Sequence, residues 1–116
     1  MSEHTSARSG EVLSPMIENL IEQADGLLVV FSEGGCHVGE AVEPKIEALV
    51  SDRFPALRHL VVAREHAPQL IGQLGIFVFP TVVIWFRGKE SARFVRTFSL
   101  ESVAEAIERP YGLLFG

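Results

Sequence analysis

A single cysteine, Cys36, stands among 116 residues, so the chain cannot close an internal disulfide. That scarcity suits a reducing compartment, where thiols are kept free. Uninterrupted apolar stretches are short as well, and none approaches the roughly 18 residues that a membrane-spanning helix needs. The opening decapeptide MSEHTSARSG lacks the apolar stretch of a signal peptide. The expectation is a cytoplasmic protein of bacterial type, with no membrane partner. Basic residues are in the minority, ten Lys and Arg against fifteen Asp and Glu, for a net charge of −5. Nucleic acid is therefore not an expected partner, since phosphate-backbone binding needs clustered positive charge. Ligand spacing is missing too. His37, His59 and His66 form no C-x-x-C or H-x-x-x-H pattern, and no metal site is expected.

What is present is enough for one folded unit. Apolar residues make up 47% of the chain, and a domain of this size buries about two-thirds of its unfolded surface. Residues 1–10 read as a flexible arm, 11–109 as one domain, and 110–116, ending in the apolar YGLLFG, as a tail that packs back on it. Ser14-Pro15 reads as a helix start, with Met16, Ile17, Leu20 and Ile21 as its apolar stripe. LLVVF, 27–31, reads as a central strand buried on both faces. A glycine-rich turn leads into a helix from His37 to Arg53 that carries Pro44 inside it. LRHLVV, 57–62, reads as a second buried strand, and HAPQLIGQLG, 66–75, as a short helix closed by Gly75. After Pro80 comes a β-branched and aromatic strand, then a hairpin turn at RGKE, 87–90, and an alternating strand, SARFVRTF, 91–98. Ser99 caps a last helix over 100–108, with Pro110 as its stop. The order α-β-α-β-α-β-β-α predicts an α/β sandwich around a mixed sheet.

Three anchors in this order resemble the thioredoxin family over residues 12–109. Phe31 to Cys36 looks like the strand-to-turn approach to that family's nucleophilic cysteine. Pro44 falls where the active-site helix of the family carries its proline, and GIFVFPT, 75–81, looks like the segment around its cis-proline. The resemblance implies a three-layer sandwich: a mixed four-stranded sheet, helices on both faces, and a cis-Pro80 before the third strand. It also marks departures. The family's C-x-x-C is here Cys36-His37-Val38-Gly39, so Gly39 replaces the resolving cysteine. Its buried aspartate corresponds to Val30, that aspartate's lysine partner to Val61, and a groove-closing glycine to Arg96. The aromatics that usually flank the nucleophile correspond to Ser32 and Gly35.

The chemistry expected of this arrangement belongs to one thiol. A cysteine at a helix start is favoured as thiolate by the free N–H groups there. His37 adds positive charge when protonated, while Glu33 and Glu40 oppose it. Cys36 and His37 are the candidate catalytic residues. Gly35, Phe79, Pro80 and Thr81 are the candidate substrate-binding residues, offering backbone to an extended peptide beside the thiol. A monothiol forms a mixed disulfide and needs an external thiol, such as glutathione, to complete a turn. No resident cofactor is expected. Redox sensing with a protein partner is the same chemistry without turnover. A second class stays open: a non-catalytic binding or chaperone module, with Cys36 as a small buried hydrophobe. RFP at 53–55 and GIFVFP at 75–80 resemble segments of thioredoxin-like hydrogenase-maturation proteins, which implies binding of an extended segment of a partner.

Overall fold

Two buried, largely apolar strands organise the chain. β1 (Gly26–Ser32) and β3 (Thr81–Phe86) are buried at every residue. They pair antiparallel, with Leu28 opposite Ile84 and Phe31 opposite Thr81. β2 (Arg58–Ala63) runs parallel to β1 on its other side, and β4 (Lys89–Val95) runs antiparallel to β3. The sheet order is β2-β1-β3-β4. The helices are α1 (Ser9–Gln23), α2 (His37–Arg53), α3 (Pro68–Leu74) and α4 (Leu100–Phe115), with a 3₁₀ turn at Arg64–His66. This computed structural model describes residues 9–33 and 37–116. Of the expected arm, Ser9 opens α1 and the first eight residues lie outside the described ones.

Successive side chains of a strand point to opposite faces, so the central run divides its bulk between two cores. Leu27, Val29, Phe31, Val83 and Trp85 meet Ile17 and Ile21 of α1 and Leu70 and Ile71 of α3. Leu28, Val30, Val82, Ile84 and Phe86 meet Ile46 and Val50 of α2 and Val103, Ala104 and Ile107 of α4. Helices cover both faces, which is why β1 and β3 read as continuous rather than alternating runs. The result is a three-layer α/β sandwich. Local signals agree with it. Gly75 closes α3 at φ 70° in the left-handed region. Arg87 and Gly88 turn the hairpin with φ of 54° and 84°, the sign a two-residue hairpin turn of type I′ requires. The Ser99 hydroxyl accepts from the Ser102 N–H at 3.0 Å and so caps α4.

Four expectations are corrected. Ser14 does not start a helix, because α1 begins at Ser9 and carries Pro15 inside it. Ser14 is buried instead, and its hydroxyl accepts from the Leu70 N–H at 3.3 Å. The N-cap of α3 is Ala67, which has no side-chain acceptor, so Ser14 caps α3 from a different helix. Ser14→Ala is expected to cost about 1 kcal/mol, as loss of a capping hydroxyl does elsewhere, readable as a lower urea midpoint at unchanged slope. In the apolar stripe of α1 only Met16 is misplaced: it is exposed, and Leu13 joins Ile17, Leu20 and Ile21 in facing the core.

β2 is not a buried strand. It is an edge strand, and only Val62 is fully buried, with Val61 45% exposed. Nor does Pro110 stop the last helix, which runs on to Phe115. An interior proline removes one hydrogen bond and crowds the preceding turn. Packing beyond it offsets that cost. Tyr111 meets Phe54 edge-on at 5.2 Å between ring centres and Phe115 at 4.8 Å, and its hydroxyl accepts from the Ala56 N–H at 2.9 Å. Leu114 and Phe115 lie against the second core, so the apolar tail is the last turn of α4.

Candidate functional site

The register of the sheet brings together three chain segments that are far apart in sequence. Phe31 pairs with Thr81, and Ser32 with Ala63. The exits of β1 and β2 and the entry of β3 therefore share one end of the sheet. From β1 the chain continues through Glu33, and α2 begins at His37. Cys36 and Gly35 lie outside the described residues, and His37 is placed as the first residue of α2.

On the β3 side, the Phe79–Pro80 peptide bond is cis. Pro80 and Thr81 are buried and Phe79 is half-buried. The Thr81 hydroxyl donates to the Val78 carbonyl at 2.6 Å, which pins the segment just before the strand. The Pro80 carbonyl accepts from the Arg96 N–H at 2.8 Å. Arg96 holds φ at 67°, the left-handed region where a side chain costs about 1–2 kcal/mol and glycine costs little. The resemblance placed a glycine of the family at this position, and the backbone retains the conformation a glycine would favour.

Arg64 is a residue that local sequence reasoning did not single out. Its guanidinium lies 5.8 Å from the centre of the Phe79 ring and pairs with the Glu33 carboxylate at 3.1 Å. It thus ties the exit of β1 to the segment entering β3. No local signal marks it, since Glu33 and Phe79 are each distant from it in the chain. Beside Thr81 an open groove of about 190 Å³ runs between the Gly75–Val78 segment and the Arg93 and Val95 side of β4. Phe77 on its rim is 82% exposed. Arg93 is held there by a two-pronged bond to Glu90, at 2.9 Å on each arm, and by donation to the Leu74 carbonyl. The hydrogen bond to Glu90 raises its pKa above the ordinary arginine value, against the lowering effect of burial.

Behind this end of the sheet, Val30 and Val61 are register partners across β1 and β2. Neither an acid nor a base stands at the two positions where the family resemblance placed an aspartate and a lysine. Among the described residues, no group of three His, Cys, Asp or Glu side chains could hold a metal ion. No helix among them is long and apolar enough to cross a membrane.

No family profile matches the sequence. The thioredoxin-like protein YdfQ of Bacillus subtilis is 28% identical over 100 residues, covering 86% of this chain and 88% of that protein. Thioredoxin 1 of Thermosipho africanus superimposes with a TM-score of 0.67 at 29% identity, covering 75% of this chain and 96% of that one. The chain has the thioredoxin fold. Fasciola hepatica thioredoxin has the same fold, with a TM-score of 0.70 over 87% of this chain and 94% of that chain at 22% identity. Against the residues that the family resemblance led us to expect, the sequence has Gly39 in C-x-x-G, valines at 30 and 61 and an arginine at 96.

Proposed function

We propose that this thioredoxin-like protein performs monothiol thiol–disulfide exchange through Cys36. The observation that carries the reading is the shared end of the sheet. The segment holding Cys36 leaves β1 after Ser32, next to Phe31, whose partner is Thr81 beside Pro80, and α2 starts at His37, the residue after Cys36 in the sequence. A thiol that directly precedes a helix of this length is favoured as thiolate by unpaired N–H groups. The thiolate sulfur attacks one sulfur of a disulfide. A new sulfur–sulfur bond forms, the old one breaks, and the departing thiolate takes a proton from water. Gly39 supplies no second thiol, so an external thiol such as glutathione completes the turn. A partner's extended segment would lie against the Gly35 turn and the Phe79-Pro80-Thr81 segment, in a reducing cytoplasm.

The test is the rate of alkylation of Cys36 as a function of pH. At pH 6–7 the thiol is expected to react faster than free cysteine, whose pKa is about 8.5, and oxidised glutathione is expected to leave one adduct per chain by mass spectrometry. A midpoint at or above that of free cysteine would rule the reading out. The exposed Phe77 and its groove favour a second reading, a module that binds an extended partner segment without using the thiol. Under it, Cys36→Ser retains partner binding in full. Under the exchange reading, covalent capture is lost.

A further inference from the structure

The two edges of the sheet are built differently. In the order β2-β1-β3-β4, β2 and β4 each have one side without a strand among the described residues. An edge strand turns part of its N–H and C=O groups outward, and another strand can pair with them. β4 is guarded against this. It carries Lys89, Glu90 and Arg93, and its register with β3 shifts between Ile84 and Trp85. Charged side chains and irregular pairing are ordinary means of keeping an edge single. β2 has little of either. After Arg58 and His59 it runs Leu60-Val61-Val62-Ala63, its register with β1 is unbroken, and Val61 is 45% exposed. We propose that the β2 edge is an interface, on which a second copy of this chain adds its own β2 antiparallel to make one continuous sheet.

A strand that pairs with its own copy obeys a strict rule. The two-fold axis stands normal to the sheet, so each face stays on its own side while the strand direction reverses. Residues directly opposite each other must therefore belong to the same face. Leu60 and Val62 face the first core. Val61 is the register partner of Val30, which lies in the second core, and so points to the other face. An axis at Val61 satisfies the rule with apolar contacts. Val61 meets Val61 of the second copy on one face, and Leu60 meets Val62 twice on the other. His59 falls opposite Ala63. Such cross-strand pairs are the unit of sheet stabilisation. Arg58 falls at the rim, against the 64–66 turn of the second copy. Arg64 there is already paired with Glu33. Glu65 is exposed, and among the described residues neither it nor Arg58 is in an ion pair, so each supplies the charge the other lacks. A second copy also accounts for the asymmetry of the edges. A strand from another protein would leave its own outer side open, whereas a two-fold closes the β2 edge completely. The joined sheet then ends on both sides in β4, the guarded strand.

Sedimentation velocity of the full chain from about 1 to about 200 μM tests this. The expected result is a monomer–dimer equilibrium with a Kd on the order of 10 μM, the weak end of the range for a small interface. Added salt is expected to tighten it, because each chain carries a net charge of −5 and salt screens their repulsion. Val61→Lys and Val61→Glu each place two like charges opposite one another across the axis. Each is expected to raise Kd at least about fivefold, since like charges directly opposite destabilise a strand pair. An equimolar mixture of the two variants is expected to regain a Kd within about threefold of the parent's, because only the mixed dimer sets opposite charges face to face. Amide exchange in the parent is expected to slow with concentration over 59–63 and not over 89–95, a reading that needs no variant. A parent that stays monomeric throughout, a dimer that Val61→Lys leaves intact, a mixture no tighter than either variant alone, or protection that grows over 89–95 instead overturns the proposal.

Discussion

Val30→Asp is expected to destabilise the protein by about 3–5 kcal/mol at pH 7, the cost of a buried charge without a partner. Val30 is 1% exposed and packs among Leu28, Val82, Ile84 and residues of α2 and α4. A carboxylate in that setting has its folded-state pKa raised above the unfolded value of about 3.9, because burial disfavours the charged form. The sign of the pH dependence follows. Below about pH 4 the group is protonated in both states and the variant keeps most of its stability. As pH rises toward the folded pKa, stability falls by about 1.4 kcal/mol per unit. Urea midpoints at pH 4 and pH 7 should therefore diverge from those of the parent mainly at pH 7. Val61 is the register partner of Val30 and is 45% exposed. A lysine there can pair with the new carboxylate while keeping its ammonium near water. Val30→Asp with Val61→Lys is accordingly expected to recover about 1–2 kcal/mol. A single variant equally unstable at both pH values would show that volume, not charge, governs this position.

Ending the chain at Arg109 is expected to cost about 3–5 kcal/mol, a large part of the 5–15 kcal/mol typical of a whole domain. The removed turn carries Tyr111, Leu114 and Phe115, all packed on the second core. It also takes away the aromatic contacts of Tyr111 and its acceptance of the Ala56 N–H. Side-chain burial of this kind contributes about 1–3 kcal/mol per large group, and an aromatic pair adds about 1 kcal/mol. Tyr111→Ala in the full chain should reproduce at least half of the loss, whereas Leu113→Ala should change little, since Leu113 is 81% exposed. Chemical denaturation of the three forms distinguishes a packed turn from a dispensable end.

These two predictions show what one-dimensional reading can and cannot reach. The two central strands were legible because burial on both faces leaves an uninterrupted apolar run, and the Gly75 and Ser99 caps because their chemistry is local. Pro15 and Pro110 misled because a proline's penalty is local while the packing that offsets it is not. For Ser14 the helix it caps is 56 residues away. β2 misled for the opposite reason. Its apolar residues look like those of an inner strand, but strand order decides whether both sides are covered, and strand order is not written in any one segment. The same limit applies at the candidate site. The Phe79-Pro80-Thr81 segment was marked by its resemblance to a family motif, which is contiguous in sequence. The contact of Arg64 with Glu33 and Phe79 needs three segments brought side by side, and only the sheet register supplies that.

The central position of β1 has a consequence for how the protein is made. Its two neighbours are delivered at very different times: β2 follows after one crossover helix, whereas β3 arrives only with Thr81–Phe86. Closing so long a stretch of chain slows folding, since contacts distant in sequence form only after that entropy has been met. A nascent chain still short of Phe86 on the ribosome therefore holds its most apolar strand with one flank bare. During synthesis, that flank is where a chaperone or a wrong partner would first take hold.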